Sequence, residues 1–229
     1  MLASDIMTGN VVTIDPDADI SDAVALMIRH RISALPVVRD GVVLGILSEG
    51  DLLRRAETGT ETKRSRWLEF VSSPERMASD YIRGHARKVE QIMSKPVVSV
   101  DAETPISEVA ALLESKGIKR VPVTFNGRLI GIVSRANLLQ ALASRLGVPA
   151  AGDRSDDRAI RTALETELRG QAWAPAIGQF NIVVEDGVVH LWGWLPPSAE
   201  RKALVVAAQN TPGVKEVIDH MMAVPHIAL

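Results

Sequence analysis

The chain has 229 residues, of which 46% are hydrophobic, and its formal net charge at neutral pH is −2. This length and apolar content are typical of a globular protein with one or two domains, and the small charge gives no general attraction to nucleic acid or to an anionic membrane. Because cysteine is absent, disulfides, thiolate nucleophiles and cysteine-based metal sites are excluded.

The sequence also argues against secretion, membrane insertion and catalysis. The N-terminus lacks a basic segment followed by an apolar one, and no apolar run approaches the roughly 18 residues of a membrane helix, which predicts a soluble cytoplasmic protein. The five histidines lack metal-site spacing, and the glycine-rich and nucleophile motifs of common enzymes are missing. We therefore predict no catalytic residue, no metal and no enzymatic activity, with an unrecognised active site as the alternative.

One sequence pattern occurs twice in the chain. Residues 5–53 align without a gap with residues 91–139, so that Gly45 is matched by Gly131, 86 residues later. A gapless repeat of this length indicates two copies of one structural unit.

Each copy is predicted to have the element order β-α-β-β-α. Apolar residues three and four positions apart predict the helices, and Asx-Gly pairs, which readily adopt positive φ, predict the hairpin turns. The predicted first strands are residues 11–14 and 97–100, and the predicted turns are Asp40-Gly41 and Asn126-Gly127.

The stretch from Gly45 to Asp51 is the candidate ligand site. An apolar strand ends in Ser48, and Asp51 opens a helical segment three residues later. Free main-chain N–H groups at such a junction can face a ligand, and a carboxylate can accept from paired hydroxyls such as a ribose diol. Helix capping is the alternative, because Ser and Asp are common N-cap residues. The second copy, from Gly131 to Asn137, favours the ligand site.

The repeated pattern resembles a tandem pair of CBS domains, also called a Bateman module. The resemblance rests on an apolar helix, an apolar-x-Pro-Val strand, an Asx-Gly hairpin and a Gly-apolar-apolar-Ser-x-x-Asp segment, and it covers about residues 1–56 and 87–146. It implies two repeats packed face to face, with adenosine ligands such as AMP, ADP, ATP or S-adenosylmethionine in the clefts between them. It implies no required cofactor, since the nucleotide acts as a regulatory ligand.

The resemblance also implies which residues form a main cleft. In the main cleft, a Ser/Asp pair would hold the ribose, two valines would lie near the adenine, and a Lys–Arg pair would bind the phosphates. Ordinary surface charge is the alternative interpretation of the Lys–Arg pair. The implied residues are Ile46, Ser48, Asp51, Val97, Val98, Lys119 and Arg120.

The second cleft departs from this pattern. Asn137 replaces the ribose Asp, and Ser33 with Ala34 replaces the basic pair. An amide oxygen accepts a hydrogen bond but does not make two charge-assisted ones, so we predict that this cleft is weak or empty. Its implied residues are Val11, Val12, Ser33, Ala34, Ile132, Ser134 and Asn137.

Residues 57–86, between the repeats, are predicted to form a helical insertion. Over the slightly longer stretch of residues 54–90, basic residues outnumber acidic ones by nine to six, which raises nucleic-acid binding as a possibility, but the two signs are interleaved. We therefore favour a solvated helical arm that packs on the repeats or on a second subunit, and we expect no nucleic acid as a partner.

A different pattern follows a linker at residues 147–154. Residues 155–225 read as α-β-β-α-β, with a hairpin at Asp186-Gly187, and resemble a BON domain through Gly193 and the Gly213-Val214 step. That resemblance implies a non-catalytic domain that binds membrane surfaces or proteins. Together the two resemblances imply an α/β (α+β) fold, with two pseudo-symmetric units and a small C-terminal domain.

Strand alternation predicts an interaction face on this C-terminal domain. His190, Trp192 and Trp194 would lie on one side of their strand, with valine and leucine on the other. If the helices cover the valine and leucine side, the tryptophans are free to bind a protein or a membrane surface. The alternatives are that the helices bury the Trp face or that the neighbouring repeats cover it.

These features predict a regulatory protein that binds an adenine nucleotide and transmits its presence to the BON-like domain. The resemblance implies a homodimer, and the expected partners are the nucleotide and a protein or membrane surface. The alternative is a scaffold that dimerises without nucleotide and docks through its C-terminal domain.

Overall fold

The computed structural model describes residues 1–53, 82, 85–146, 154–174 and 180–223, so most of the predicted insertion and linker lie outside it. The helices are α1 (Ala3–Ile6), α2 (Ile20–His30), α3 (Glu49–Leu52), α4 (Ile106–Ser115), α5 (Arg135–Leu146), α6 (Arg154–Arg169) and α7 (Ala199–Asn210). The strands are β1 (Ala34–Arg39), β2 (Val42–Ser48), β3 (Val100–Asp101), β4 (Arg120–Phe125), β5 (Arg128–Ser134), β6 (Phe180–Glu185), β7 (Val188–Gly193) and β8 (Glu216–Asp219). No helix in this part of the chain is long and apolar enough to cross a membrane.

The chain divides into two compact units. The first comprises Val12–Val98 and Asn126–Leu129, and the second comprises Met1–Val11, Ser99–Phe125 and Ile130–Leu229. The N-terminal segment Met1–Val11, which includes the beginning of the first repeat, therefore belongs to the same unit as most of the second repeat.

The first unit contains the antiparallel hairpin of β1 and β2, with α2 packed against β1. Asp40 and Gly41 have φ values of 53° and 83°, as the predicted turn requires. One face of α2 is buried at helical spacing, as the apolar pattern predicted. The core of this unit includes Ile20, Ala23, Met27, Leu35, Val37 and Leu47.

The prediction of a strand at residues 11–14 is wrong. Ile14 makes only an isolated parallel bridge to Val37, with hydrogen bonds of 3.1 Å and 2.9 Å to the flanking residues of β1. The pairing stops because Asp15 immediately begins a turn, closed by the N–H of Ala18 donating to its carbonyl at 3.1 Å. The corresponding strand of the second repeat, β3, is only two residues long.

The second repeat provides the first part of the second unit. β4 lies between β3 and β5, and it runs parallel to β3. Val109 and Leu113 on α4 are buried, as are Val121 and Val123 on β4. The helical spacing of α4 thus buries the apolar face that the sequence predicted, and β4 is buried over three consecutive residues.

The C-terminal domain has the predicted α-β-β-α-β order and belongs to the second unit. Its sheet has the order β6-β7-β8, with β6 antiparallel and β8 parallel to β7. α6 and α7 bury one face of the sheet, and Ile160, Leu164 and Leu168 of α6 lie in that core. Asp157 on α6 accepts from the N–H groups of Asp186 and Gly187 at 2.9 Å and 2.8 Å, which fixes the predicted hairpin turn.

The opposite face of β6 contacts the N-terminal segment and the second repeat. The Nδ2 of Asn181 donates to the carbonyl of Ile6 at 3.4 Å and to Oε1 of Gln140 on α5 at 3.0 Å. The Nε of Arg145 on α5 donates to Oε1 of the buried Glu185 at 3.1 Å. Within the second unit, the sheet of the C-terminal domain therefore packs between its own helices and the second repeat.

Candidate functional site

The turn from Ser48 to Asp51 joins β2 to α3. Ser48 is extended, with φ −121° and ψ 165°, and caps the short helix. Oδ2 of Asp51 accepts from the main-chain N–H of Ser48 at 2.8 Å and from its hydroxyl at 2.7 Å. This is a capping box, so the helix-capping geometry that the sequence left open is formed. It occupies one carboxylate oxygen of Asp51.

The second carboxylate oxygen of Asp51 faces Ser94. The hydroxyl of Ser94 donates to Oδ1 of Asp51 at 3.3 Å, and its main chain exchanges hydrogen bonds with Ile46 at 2.8 Å and 3.3 Å. These bonds hold the segment that continues into Val97 and Val98 beside the Asp51 turn, in the same unit. Ser94 is not among the site residues predicted from the sequence, although the repeat offset identifies it as the counterpart of Thr8.

The turn from Ser134 to Asn137 repeats this geometry in the second unit. Oδ1 of Asn137 accepts from the N–H of Ser134 at 2.8 Å and from its hydroxyl at 2.7 Å. The Nδ2 of Asn137 donates to the hydroxyl of Thr8 at 3.2 Å, and Thr8 exchanges main-chain hydrogen bonds with Ile132. Asn137 is buried, and its amide uses both its oxygen and its nitrogen within the protein.

The two turns therefore differ in their remaining capacity to accept hydrogen bonds. Asp51 is partly exposed, and its Oδ1 has a single hydroxyl donor among the described residues. A carboxylate oxygen can accept more than one hydrogen bond, whereas the Asn137 amide has one acceptor oxygen, which already accepts two. Only the Asp51 turn offers a charged acceptor for hydroxyls of a ligand.

The other predicted cleft residues lie beside the turn of their own repeat. The carbonyl of Ser33 accepts from the N–H of Glu49 at 3.0 Å, and Ala34 pairs with Ser48 across the hairpin. In the second unit, the carbonyl of Lys119 accepts from the N–H of Arg135 at 3.2 Å. The contribution of Lys119 and Arg120 to the Asp51 turn stays a prediction.

The remaining cleft residues divide between the two units. Val12 belongs to the first unit, and Val11 belongs to the second. Both are partly buried, as are Val97 and Val98. Their predicted contact with an adenine ring also stays a prediction.

The predicted interaction face on β7 is only partly exposed. His190 is 3% exposed, Trp192 is half-buried, and Trp194 is 49% exposed. His220 stacks on Trp192 with ring centroids 3.8 Å apart, and its Nε2 lies 3.0 Å from Nδ1 of His190. The α6 and α7 helices cover the valine and leucine side, as one interpretation expected, but burial of His190 leaves Trp194 as the accessible ring of the three.

The buried histidines have altered proton affinity. Burial, with a contribution from the neighbouring His220, lowers the pKa of His190 to about 4. Burial also lowers the pKa of His220. Nε2 of His190 and Nε1 of Trp192 are buried without a hydrogen-bond partner among the described residues. His190 is therefore neutral in the folded protein near pH 7.

A polar interface that the sequence did not reveal joins α6 to the N-terminal segment. The buried guanidinium of Arg161 donates to the main-chain carbonyls of Asp5 and Met7 and, at 2.9 Å, to Glu165. Nε of Arg158 donates to the Asp5 carboxylate at 2.7 Å. These contacts end one residue before Thr8, the partner of Asn137. Amphipathic spacing indicates that α6 has a polar side but not what that side meets.

Among the residues that the structure describes, no group of three or more His, Asp or Glu side chains could hold a metal ion.

Comparisons with known proteins agree with this architecture. The CBS domain model matches residues 3–57 and 89–144, and the BON domain model matches residues 156–225. An uncharacterized protein of Methanocaldococcus jannaschii is 32% identical over 154 residues, which cover 62% of this chain and 91% of that protein. A CBS domain-containing protein of Dictyostelium discoideum is 30% identical over 144 residues, covering 62% and 91%.

A solved structure supports the same assignment. The crystal structure of CBSX2 in complex with AMP is 26% identical, covers 62% of this chain and 97% of its own, and has a TM-score of 0.54. The predicted family resemblances and the predicted α/β fold class are thus confirmed. The chain belongs to the CBS domain family, with two CBS domains followed by a C-terminal BON domain.

Proposed function

We propose that this protein is a non-enzymatic regulator that binds an adenine nucleotide at the Asp51 turn. The observation that carries the proposal is the state of the Asp51 carboxylate. The capping box orients it, while Oδ1 receives only the 3.3 Å hydrogen bond from Ser94 among the described residues. A fixed, partly exposed carboxylate oxygen is a suitable acceptor for a ribose diol.

The AMP complex of CBSX2 supports this class of ligand, because it is a similar CBS protein that binds an adenine nucleotide. In the proposal, Val97 and Val98 contact the base, and Lys119 with Arg120 binds the phosphates. Which of AMP, ADP, ATP or S-adenosylmethionine binds is a question of affinity, which the experiment below measures.

The second part of the proposal is that ligand binding changes how the BON domain meets a partner. A ligand shifts a conformational equilibrium only by its differential affinity for the two states. The contacts from Arg161 to the Asp5 and Met7 carbonyls connect the BON domain directly to the N-terminal segment, whose Thr8 accepts the hydrogen bond from Asn137 of the second turn. Movement of that segment would therefore alter the position of α6.

Calorimetry and thermal unfolding with the four candidate ligands test the proposal. A ligand that binds only the folded protein raises the free energy of unfolding by about 2.7 kcal/mol at a hundredfold excess over Kd. We expect this rise with at least one ligand and its loss in Asp51→Ala. Asp22→Ala, which removes an exposed carboxylate on α2 of the same unit, is the matched control and should bind as the parent does. Equal binding by Asp51→Ala would refute the site.

The second candidate function is a nucleotide-independent scaffold. It is favoured by the exposed pair of Trp194 and Met222, which bridge at the end of the sheet and are 49% and 54% exposed. Such a scaffold would form a homodimer and bind a protein or membrane surface through this pair. Measurement of the mass in solution and of partner binding, each with and without ligand, separates the two functions, because the scaffold keeps both unchanged whereas the regulator changes its partner binding when ligand is added.

A further inference from the structure

A cavity of about 640 Å³ lies between the BON domain and the N-terminal segment, within the second unit. One wall is formed by α6 and β6 and the other by residues 7–10. This volume is in the range of pockets that hold small organic molecules. It is separate from the Asp51 turn, whose residues do not line it.

The polar wall of this cavity carries an excess of positive charge. Glu165 lies between two guanidiniums, 2.9 Å from Arg161 and 3.9 Å from Arg169. Arg161 is buried and donates from Nη1 and Nη2 to two main-chain carbonyls, which hold its position. Arg169 is 63% exposed, and its separation from Glu165 is too long for a hydrogen bond. Arg169 therefore keeps N–H donors for an anionic group at the rim.

The wall next to Arg169 is apolar. Leu168 and Ile182 are buried in the BON core, Phe180 packs against that core, and all three line the cavity. Met7 closes the opposite side, where its side chain also packs against Gly131. A ligand that fits must present an apolar ring or chain to these side chains and a negative charge to the guanidiniums.

We propose that this cavity binds a small organic anion, a phosphate or carboxylate carried on an apolar ring, and that Arg169 binds the anionic group. Thr8 also lines the cavity while accepting the hydrogen bond from Asn137. A ligand in the cavity would thus affect the hydrogen bond between Thr8 and Asn137, without any ligand in the second turn itself. The proposal does not depend on nucleotide binding at Asp51.

Methionine-methyl NMR on the full chain tests the proposal. Met7 lines the cavity, and Met93 holds the equivalent position against Gly45 in the first unit. The substitutions Met7→Leu and Met93→Leu assign the two resonances. The probes are phenyl phosphate, adenosine, AMP and inorganic phosphate, which separate the ring, the charge and the nucleotide.

We expect phenyl phosphate to shift the Met7 methyl in a saturable way and adenosine to leave it unchanged. Arg169→Gln should weaken phenyl phosphate about tenfold or more, because a hydrogen bond to a charged group is lost. Lys202→Gln, which removes an exposed cation from α7 of the same domain, is the control and should bind normally. An AMP-induced shift at Met7 would identify nucleoside phosphates as one source of the ligand, and a shift with phenyl phosphate alone would identify other organic anions.

Two results would overturn the proposal. One is a Met7 resonance that no phosphate-bearing probe moves, which would identify the cavity as a water-filled seam between the domains. The other is unchanged affinity in Arg169→Gln. Because Met93 reports separately on the first unit, failure at Met7 is distinguishable from failure of nucleotide binding at Asp51.

Discussion

The turns at Ser48–Asp51 and Ser134–Asn137 have the same local geometry and different surroundings. In both, the side-chain oxygen at the fourth position accepts hydrogen bonds of 2.8 Å and 2.7 Å from the serine. The Asp51 turn keeps a charged, partly exposed oxygen, whereas the Asn137 turn uses its amide nitrogen on Thr8 and is buried. The comparison teaches that the repeat specifies the turn, while one atom and the neighbouring domain specify what the turn can bind.

The largest expected effect is on the unfolding free energy, and it comes from removing the contact between the BON domain and the N-terminal segment. Arg161→Ala leaves the Asp5 and Met7 carbonyls and the Glu165 carboxylate without their buried partner. Loss of one partner of a buried charged network costs about 3–5 kcal/mol of unfolding free energy. Urea unfolding followed by tryptophan fluorescence measures it. This prediction isolates the contribution of the BON domain to the surroundings of the Asn137 turn.

A matched substitution provides the control for that measurement. Arg158→Ala removes a half-exposed arginine from the same helix, where it pairs with Asp5. Pairs of this kind contribute roughly 0–1 kcal/mol. Equal destabilisation by the two substitutions would show that the buried network does not hold the BON domain on the N-terminal segment.

The second prediction concerns acid stability of the unit that contains the Asn137 turn. The pKa of His190 is about 4 in the folded protein and 6.5 when the side chain is unperturbed. Between these values the unfolded chain binds a proton that the native state does not, so the unfolding free energy decreases as the pH falls from about 6.5 to 4. The loss reaches roughly 3 kcal/mol, and the lowered pKa of His220 acts in the same direction.

Unfolding free energies measured across this pH range in His190→Leu test the assignment. In this variant the unfolding free energy should change much less with pH over this range, even if its value near pH 7 is lower. His30→Gln, on α2 of the first unit, should retain the slope of the parent. A slope that survives in His190→Leu would assign the acid sensitivity to other groups.

The smallest expected effect is on ligand affinity, and it compares the two turns directly. Asp51→Asn gives the first turn the chemistry of the second, and Asn137→Asp does the reverse. We expect Asp51→Asn to weaken the nucleotide by about 1.5–3 kcal/mol, or 10- to 100-fold, because a charge-assisted hydrogen bond is lost. Asn137→Asp should strengthen a second binding event in calorimetry. Two sites of equal affinity in the parent protein would contradict the proposed asymmetry.

Some parts of the fold could be predicted from local patterns. The hairpin turns at 40–41, 126–127 and 186–187 all have positive φ at both residues, because Asx-Gly pairs permit that conformation. The C-terminal domain has the predicted order of helices and strands, and the apolar face of α6 lies in the core. The valines at 11–12 wrongly predicted a strand at 11–14, since strand formation depends on pairing with a neighbouring strand, and the turn that begins at Asp15 stops that pairing.

The glycine of each repeat motif shows what a local sequence pattern reveals and what only the tertiary structure adds. A Cβ on Gly45 would overlap the side chain of Met93, and a Cβ on Gly131 would overlap that of Met7. In both units the first residues of one repeat pack on the hairpin of the other. The sequence identified both glycines as repeated positions but gave no indication of the methionine that each one accommodates.

The sequence by itself determined the repeat, the turns, the helix faces and the two families, because these depend on spacing and composition along the chain. The tertiary structure decided that the N-terminal segment joins the second unit, that Arg161 binds its carbonyls, and that His190 is buried. It also created the cavity at Arg169. These features arise from contacts between residues more than a hundred positions apart or from burial, and no local pattern encodes which distant surface a polar side chain will meet.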